Sequence, residues 1–546
     1  MEDEKKTRNA RVFRYEVGLD SSSNFIRTEA FRVNNISRQV ARKLKRQIEK
    51  RLKGQMLTPR QDPMFTARNI DYEIADRTRA VNCGGIGAIH QMVRAVGLAD
   101  ALDRNVHLLK VHLPYHESDH ILNIAYNIIA GGTCLEDLEL RRNNAVYLDA
   151  LGALRIPDPT TAGDFCRRFE TDLQILALME AINQSRLKVW KQQRPEFFDL
   201  AKIDADGSIA PTFGECKQGM DMSYKGLWSY HPLVISMANT KEVLYLVNRS
   251  GNRPSHEQAD VYLDKAVELC RRGGFRKILL RGDTDFTQTW KLDEWSAAGD
   301  VTFIFGVDAM PNLVALAKEL PESDWQRLQR PPRYDVKTSP REKPENVKER
   351  IVREREYKNL ELQHEDVAEF AYQPGHCKRK YRVIALRKTI KMMQGQWELF
   401  QPDRFFFYIT NDSEMPIQEV VFQANDRCDQ ENLIEQLKNG VRAMRNPLDN
   451  LHSNWAYMVM ASLAWTLKAW CGLLLPTPAG LWHKRYVAQR EALLKMEFKR
   501  FVNGLIQLPC QIVKGGRRIV YRLLSWNPWV EPLLRLSEAM RKPLIC

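Results

Sequence analysis

Residues 1 to about 75 are polar and basic, yet Ile36, Val40, Leu44, Ile48 and Leu52 recur at every fourth position. Between them sit Arg38, Arg42, Lys43, Lys45, Arg46, Lys50, Arg51 and Lys53, with Gly54 where a helix would stop. The spacing predicts a basic amphipathic helix. It reads equally as a phosphate-contacting arm and as a solvated helix packed on its apolar stripe. Residues 78 to 192 keep a helical period, in Ile86, Ile89, Val93 and Val96 and again in Ile121, Leu122, Ala125, Ile128 and Ile129. Ser118 is placed to cap the second run, and Gly131-Gly132 to end it.

At about residue 197 the period changes. Phe197 to Asp206 reads as a strand, as do Pro232 to Ala238 and Val243 to Val247, joined by a hairpin-like Asn239-Thr240-Lys241. A helix from His256 to Arg272, a strand from Lys277 to Leu280, a helix from Thr287 to Ala297 and a strand from Val301 to Val307 follow. Three meandering strands, then helix, strand, helix, strand, with acids closing the first and fourth strands, is the order of a mixed α/β, ribonuclease H-like core. Residues 310 to about 400 interrupt it. Arg327 to Lys358 is dense in charge and proline and reads as loop or as a partly disordered stretch. Strands are expected at Ala368 to Tyr372, Tyr381 to Leu386 and Trp397 to Ile409, an inserted and mainly β subdomain.

The expected organisation is a basic extension (1–76), a helical region placed to read or dock DNA (77–194), the first part of the core (195–309), the β-rich insertion (310–415), a glutamate-bearing helix and the end of the core (416–475), and a basic C-terminal region (476–546). The apolar run from Met458 to Leu475 is broken by Lys468 and predicts a buried helix rather than a membrane span. Near the C-terminus, Lys514-Gly515-Gly516-Arg517-Arg518 reads as a basic hairpin.

Composition narrows the partners. The net charge is +14 over 546 residues, which favours a polyanion, since each phosphate neutralised releases condensed counterions. Ten cysteines are scattered without a Cys-x-x-Cys pair, which argues against a zinc ribbon and a disulfide scaffold and fits a reducing, cytoplasmic setting. The N-terminus has no apolar signal segment.

Three segments carry candidate chemistry. In Ile203-Asp204-Ala205-Asp206-Gly207-Ser208, alternation puts both aspartates on one face; Asp206 is favoured because it stands at the strand's exit before a small Gly-Ser pair. In Arg281-Gly282-Asp283-Thr284-Asp285-Phe286, Asp283 follows a buried strand, while Asp285 is better placed to start the next helix. In Arg427 to Lys438, a regular helix would align Glu431, Glu435 and Lys438 on one face and Leu433 and Leu437 on the other. Converging carboxylates are what two-metal phosphoryl transfer requires, and oxygen-rich sites suit magnesium.

Taken together, these segments resemble the DDE group 1 transposases of bacterial insertion sequences. The likeness also runs through Gly131 to Leu138, Ser223-Tyr224-Lys225-Gly226, Tyr230-His231-Pro232-Leu233 and Arg249-Ser250-Gly251-Asn252, and spans roughly Arg77 to Pro532. The resemblance implies a catalytic and metal-binding triad of Asp206, Asp283 and Glu431, two Mg2+ ions with Mn2+ able to substitute, and cleavage and strand transfer at the ends of an insertion sequence. It implies double-stranded DNA as partner, as terminal inverted repeats and as target, a homodimer on that DNA, and a cytoplasmic, nucleoid-associated protein. Arg427 and Lys438 keep the family's spacing around its glutamate and would grip phosphates; Lys225 and Arg249, on loops near the strand ends, are further DNA-binding candidates. The family's tyrosine position is Ala424 here, with Phe422 nearby, and its threonine position is Ser208. Trp397, in the insertion, is either a base-stacking residue or core. Two alternatives share these features: a transposase-derived DNA-binding protein that does not cut, and a nuclease of the same fold that does not join strands.

Overall fold

The computed structural model describes residues 35–53, 78–330, 345–394, 397–399, 403–515 and 518–544. The extension before residue 35, the 54–77 stretch with Gly54, residues 331–344 of the charge- and proline-rich stretch, and residues 516–517 of the Lys514–Arg518 run lie outside them. The basic period forms the helix α1 (Asn35–Lys53), in which Val40 is half exposed and Lys45 Nζ stands 5.3 Å from the Trp526 ring. Residues 86–190 are helical up to α2 (Asp172–Trp190). The capping reading for Ser118 shifts by two residues, because the cap of helix Glu117–Ile129 is His116.

Residues 201–410 contribute the strands of one ten-stranded sheet. Its centre holds β1 (Ala201–Gly207), which leads through a small three-stranded sheet, β2 (Ala210–Pro211), β3 (Asp221–Met222) and β4 (Trp228–Tyr230), back into β5 (Leu233–Met237). Then come β6 (Glu242–Val247), α3 (Ala259–Gly273), β7 (Ile278–Gly282), α4 (Thr289–Ala297) and β8 (Val301–Val307). Spatial order is β6-β5-β1-β7-β8; β5 lies antiparallel to β1 and β6, and β7 and β8 run parallel to β1 and to each other. That is the ribonuclease H-like order 3-2-1-4-5. The first strand starts later than its sequence pattern predicts, because Phe197 and Phe198 turn inward onto Phe275, 5.2 and 5.4 Å away, in a short 3-10 turn.

The insertion joins this sheet instead of standing apart from it. Strands β9 (Lys358–Tyr372), β10 (Tyr381–Gln394), β11 (Trp397–Leu399) and β12 (Arg404–Thr410) continue it, with β12 antiparallel to β8. The chain then forms α5 (Ile417–Asp426) and α6 (Cys428–Glu435). Finally α7 (Leu451–Leu473) runs through the centre of the molecule with nearly every residue buried. Lys468 within it is buried too; its ammonium donates to Leu494 O at 2.6 Å and lies 4.1 Å from the Trp465 ring. Glu242, also buried, accepts from Arg186 Nε at 3.0 Å, Trp190 Nε1 at 2.9 Å and Trp470 Nε1 at 2.7 Å. That one carboxylate ties α2 and α7 to β6, and its three donors supply the compensation a buried charge demands. Among the described residues no helix is long and apolar enough to cross a membrane.

Candidate active site

β1 and β7 run parallel with Asp204 opposite Arg281. Two residues on, the same register sets Asp206 beside Asp283, roughly one strand spacing of 4.8 Å along the sheet. Asp204 and Asp206 share the face that α5 and α6 cover, but they are engaged differently. Asp204 is buried, and Arg281 grips both of its oxygens, through Nε at 2.7 Å and Nη2 at 2.9 Å. Arg281 also donates to Gln423 O in α5 at 2.9 Å. Asp204 is therefore committed to a buried, bidentate pair. Among the described residues, Asp206 is met by the Gly207 amide and by Arg427 Nη1 at 3.8 Å. Burial pushes the Asp206 carboxyl up to about 7, with the charge of Asp283 as the next cause and Arg427 opposing both.

Asp283 emerges from β7 where two glycines clear its path. A Cβ on Gly282 would lie 2.6 Å from the Phe286 Cβ, and one on Gly306 of β8 would lie 2.9 Å from Thr284 N. The buried Phe286 ring thus fills the space beneath the turn. The sequence pattern gave the helix-starting role to Asp285. The structure gives a capping role to Asp283, whose Oδ1 accepts from Asp285 N at 3.1 Å and closes the 3-10 turn Thr284–Phe286. Burial raises the Asp283 carboxyl, Arg427 pulls it down, and Asp285 and Asp308 add to the rise. Asp308 is an acid that the sequence reading passed over; it follows β8 just as Asp206 and Asp283 close their strands, and that strand-end position was its signal.

The third acid comes from the helix pair α5–α6, which a polar network fastens to the sheet. Lys202 donates to Gln423 at 2.9 Å, and Lys241 pairs with Asp429 at 2.5 Å. The buried Gln430 donates to Val234 O of β5 at 3.1 Å and accepts from the Ser236 hydroxyl. Glu431 follows Gln430 at once, so its backbone is fixed on the sheet while its side chain stays exposed, close enough for its charge to act on Asp206. Arg427, at the junction of the helices, stands between the aspartates, 3.8 Å from Asp206 Oδ2 and 4.0 Å from Asp283 Oδ2.

Past Glu435 the helix widens into a π turn, Gln436–Gly440. That widening breaks the regular helical face expected through Lys438. Lys438 is half-buried; burial lowers its pKa, Glu435 opposes the shift, Lys225 adds to it and Asp206 counters it. Lys438 therefore lies within electrostatic reach of both Lys225 and Asp206. Lys225 itself is exposed, 5.4 Å from the Tyr224 ring.

Arg249 is not an exposed loop cation. It is buried, and its guanidinium donates to the backbone oxygens of His231, Pro254, Ser255 and Glu257 at 2.7 to 3.2 Å. The structure corrects the phosphate-contact expectation for it: this arginine holds a loop together. Ala424 and Phe422 pack against a secondary apolar core on α5, so neither stands in for a hydroxyl at the site. The Trp397 side chain lies outside the described residues.

Among the described residues no three His, Cys, Asp or Glu side chains gather tightly enough to hold a metal ion. The donors that do meet are nonetheless of the right kind. Asp206 and Asp283 offer carboxylate oxygens, partly buried and mutually repelling, with the Arg427 guanidinium close to both. A divalent cation would relieve that repulsion, and hard oxygen donors select magnesium or manganese.

Residues 74–543 match the sequence profile described as Transposase DDE domain group 1. The chain belongs to that family. No curated protein matches it. Among solved structures, a piggyBac transposase in a synaptic complex with hairpin DNA, determined by cryo-EM, is similar at 12% identity and a TM-score of 0.35, covering 78% of this chain and 80% of that one. Membership in the transposase family rests on the profile match rather than on that superposition.

Proposed function

We propose that this family member cuts DNA at the ends of an insertion sequence and transfers the freed 3′ hydroxyl to target DNA. The observation that carries the reading is the pair Asp206 and Asp283, brought side by side at the ends of adjacent parallel strands with Arg427 between them. Asp206, Asp283 and Glu431 would hold the divalent ions, two Mg2+ or Mn2+ in place of it. When bound, those ions supply charge for the attacking and leaving oxygens of an in-line displacement.

The remaining work belongs to the chain. Arg281 and Asp204 keep β1 and β7 in register, so that the two aspartates stay adjacent. Gln430 and Lys241 hold α6 against the sheet, which keeps Glu431 within electrostatic reach of Asp206. Lys438, Lys225 and Arg427 offer cations on the same side, suited to phosphates flanking the cut. Double-stranded DNA is then the partner, and two copies acting together would hold the two ends in a cytoplasmic, nucleoid-bound complex. The test is incubation of the DNA bracketing the coding region with the purified protein and Mg2+ or Mn2+. Nicks leaving 3′ hydroxyls at both ends, and joined products with added target, support the proposal. Binding without any nick points to a DNA-binding protein, and nicks without joining to a nuclease.

A further inference from the structure

The small sheet β2–β3–β4 carries an exposed apolar surface that the cutting chemistry does not use. Phe213 is 98% exposed, Tyr224 80% and Trp228 52%, with Met222 and Leu227 nearly half exposed. Large apolar side chains gathered on a surface mark a contact site. Met222 and Trp228 are direct cross-strand partners and so share one face of the β3–β4 pair. The tip that carries Tyr224 is stiff. Ser223 N donates to Leu227 O at 2.9 Å, Gly226 N donates to Ser223 O at 2.8 Å, and the Ser223 hydroxyl donates to Leu227 O at 3.1 Å. Gly226 has φ +70°, the left-handed conformation this turn needs. Beneath, a Cβ on Gly251 would lie 2.3 Å from Asp221 O, so the Arg249–Asn252 loop packs directly against the sheet. The rings are therefore presented by a fixed frame.

Its position is set by the chain. β2 begins four residues after Asp206, within about 14 Å even when fully extended. At the other side Tyr230 leads into β5, whose Leu233 pairs with Gly207. Lys225, at the tip, shares with Asp206 an influence on Lys438. The aromatic face thus stands on the chain that leaves and re-enters the carboxylate end of the central sheet, with Lys225 at its tip beside Tyr224 and within electrostatic reach of Lys438. One acid of this hairpin, Asp221, is bound by Asn252 at 2.6 Å. Rigid aromatic rings beside lysines suit a flexible polyanion with flat apolar faces, which is unpaired DNA; in duplex DNA those faces are already stacked.

We propose that Tyr224 and Trp228 form a stacking platform for unpaired bases of the strand held at the carboxylates. This rests on the DNA-cutting reading of the same site. The test measures binding of the full-length protein, in EDTA, to a labelled thymidine single strand and to a duplex of equal length. Tyr224→Ala and Trp228→Ala should each weaken single-strand binding about fivefold or more. Duplex binding and the thermal midpoint should hold, and Tyr224→Phe should bind like the wild type. Single-strand affinity unchanged in both alanine variants, or single strand and duplex weakened alike, overturns the platform. So does a loss of dimer in sedimentation with strand binding intact, which would make the face a self-interface. Wild-type nicking at the element ends alongside unaltered alanine variants sinks the platform alone. A wild type that binds neither DNA form sinks the cutting reading as well.

Discussion

Replacing Asp206 with asparagine should stabilise the metal-free protein, and by an amount that depends on pH. The folded carboxyl sits at about 7, against 3.8 for a free aspartate, because it is buried and faces Asp283. A folded-state pKa raised above the unfolded one contributes stability in full below about pH 4 and loses it as pH climbs through 7. At full ionisation the loss is about 2 to 4 kcal/mol. Asparagine has a similar shape and never ionises, so Asp206→Asn escapes the loss. Thermal unfolding of both proteins in EDTA, at steps from pH 5 to pH 8, reads the difference, which contains the loss of the Asp206 titration and the relief of its repulsion on Asp283. The variant's advantage should be already present at pH 5, grow up to about pH 7 and level off above it. Added Mg2+ or Mn2+ should raise the wild-type midpoint at pH 8 and leave the variant's nearly unmoved. A difference that stays flat across the range, or a variant less stable at pH 8, would refute the argument that Asp206 is a strained acid awaiting a cation.

Asp204→Ala should behave in the opposite way, destabilising by roughly 3 to 5 kcal/mol in denaturant titration, because the buried Arg281 loses its bidentate partner. Gly282→Ala should cost about 1 to 3 kcal/mol in the same assay, since its Cβ would press on the buried Phe286. Lys438→Ala should weaken binding to DNA of any sequence and flatten the salt dependence by about one unit of slope, measured by titrating binding against salt concentration.

Most elements of the core were legible because their hydrophobic periods switch cleanly from helical to alternating near Phe197 and because β1, β5, β6, β7 and β8 are bounded by turn residues, whereas β2, β3 and β4 are too short to show a period. Long-range pairing was not legible. Asp204 and Asp206 look alike in Asp-Ala-Asp, and only the fold brings Arg281 onto the first. Arg249 sits among polar loop residues, so nothing local showed that four carbonyls close around it. The strands of the insertion were visible as β-rich runs, whereas their union with the central sheet depends on β12 pairing with β8. The π turn after Glu435 has no sequence period of its own, and it changes where Lys438 points along the helix. Glu431 is preferred to Glu435 on its spacing from Arg427 and Lys438 alone, and the fold sets Arg427 at the junction of α5 and α6.

The most direct test of the account compares Asp283→Asn with the wild type on DNA carrying the element's ends, following nicking and binding in parallel with Mg2+ or Mn2+. Metal-dependent nicks are expected from the wild type, and from Asp283→Asn binding within a few-fold of wild type with no detectable nicks. Nicking by Asp283→Asn at the wild-type rate, or a wild type that binds the ends yet never cuts them, would contradict it.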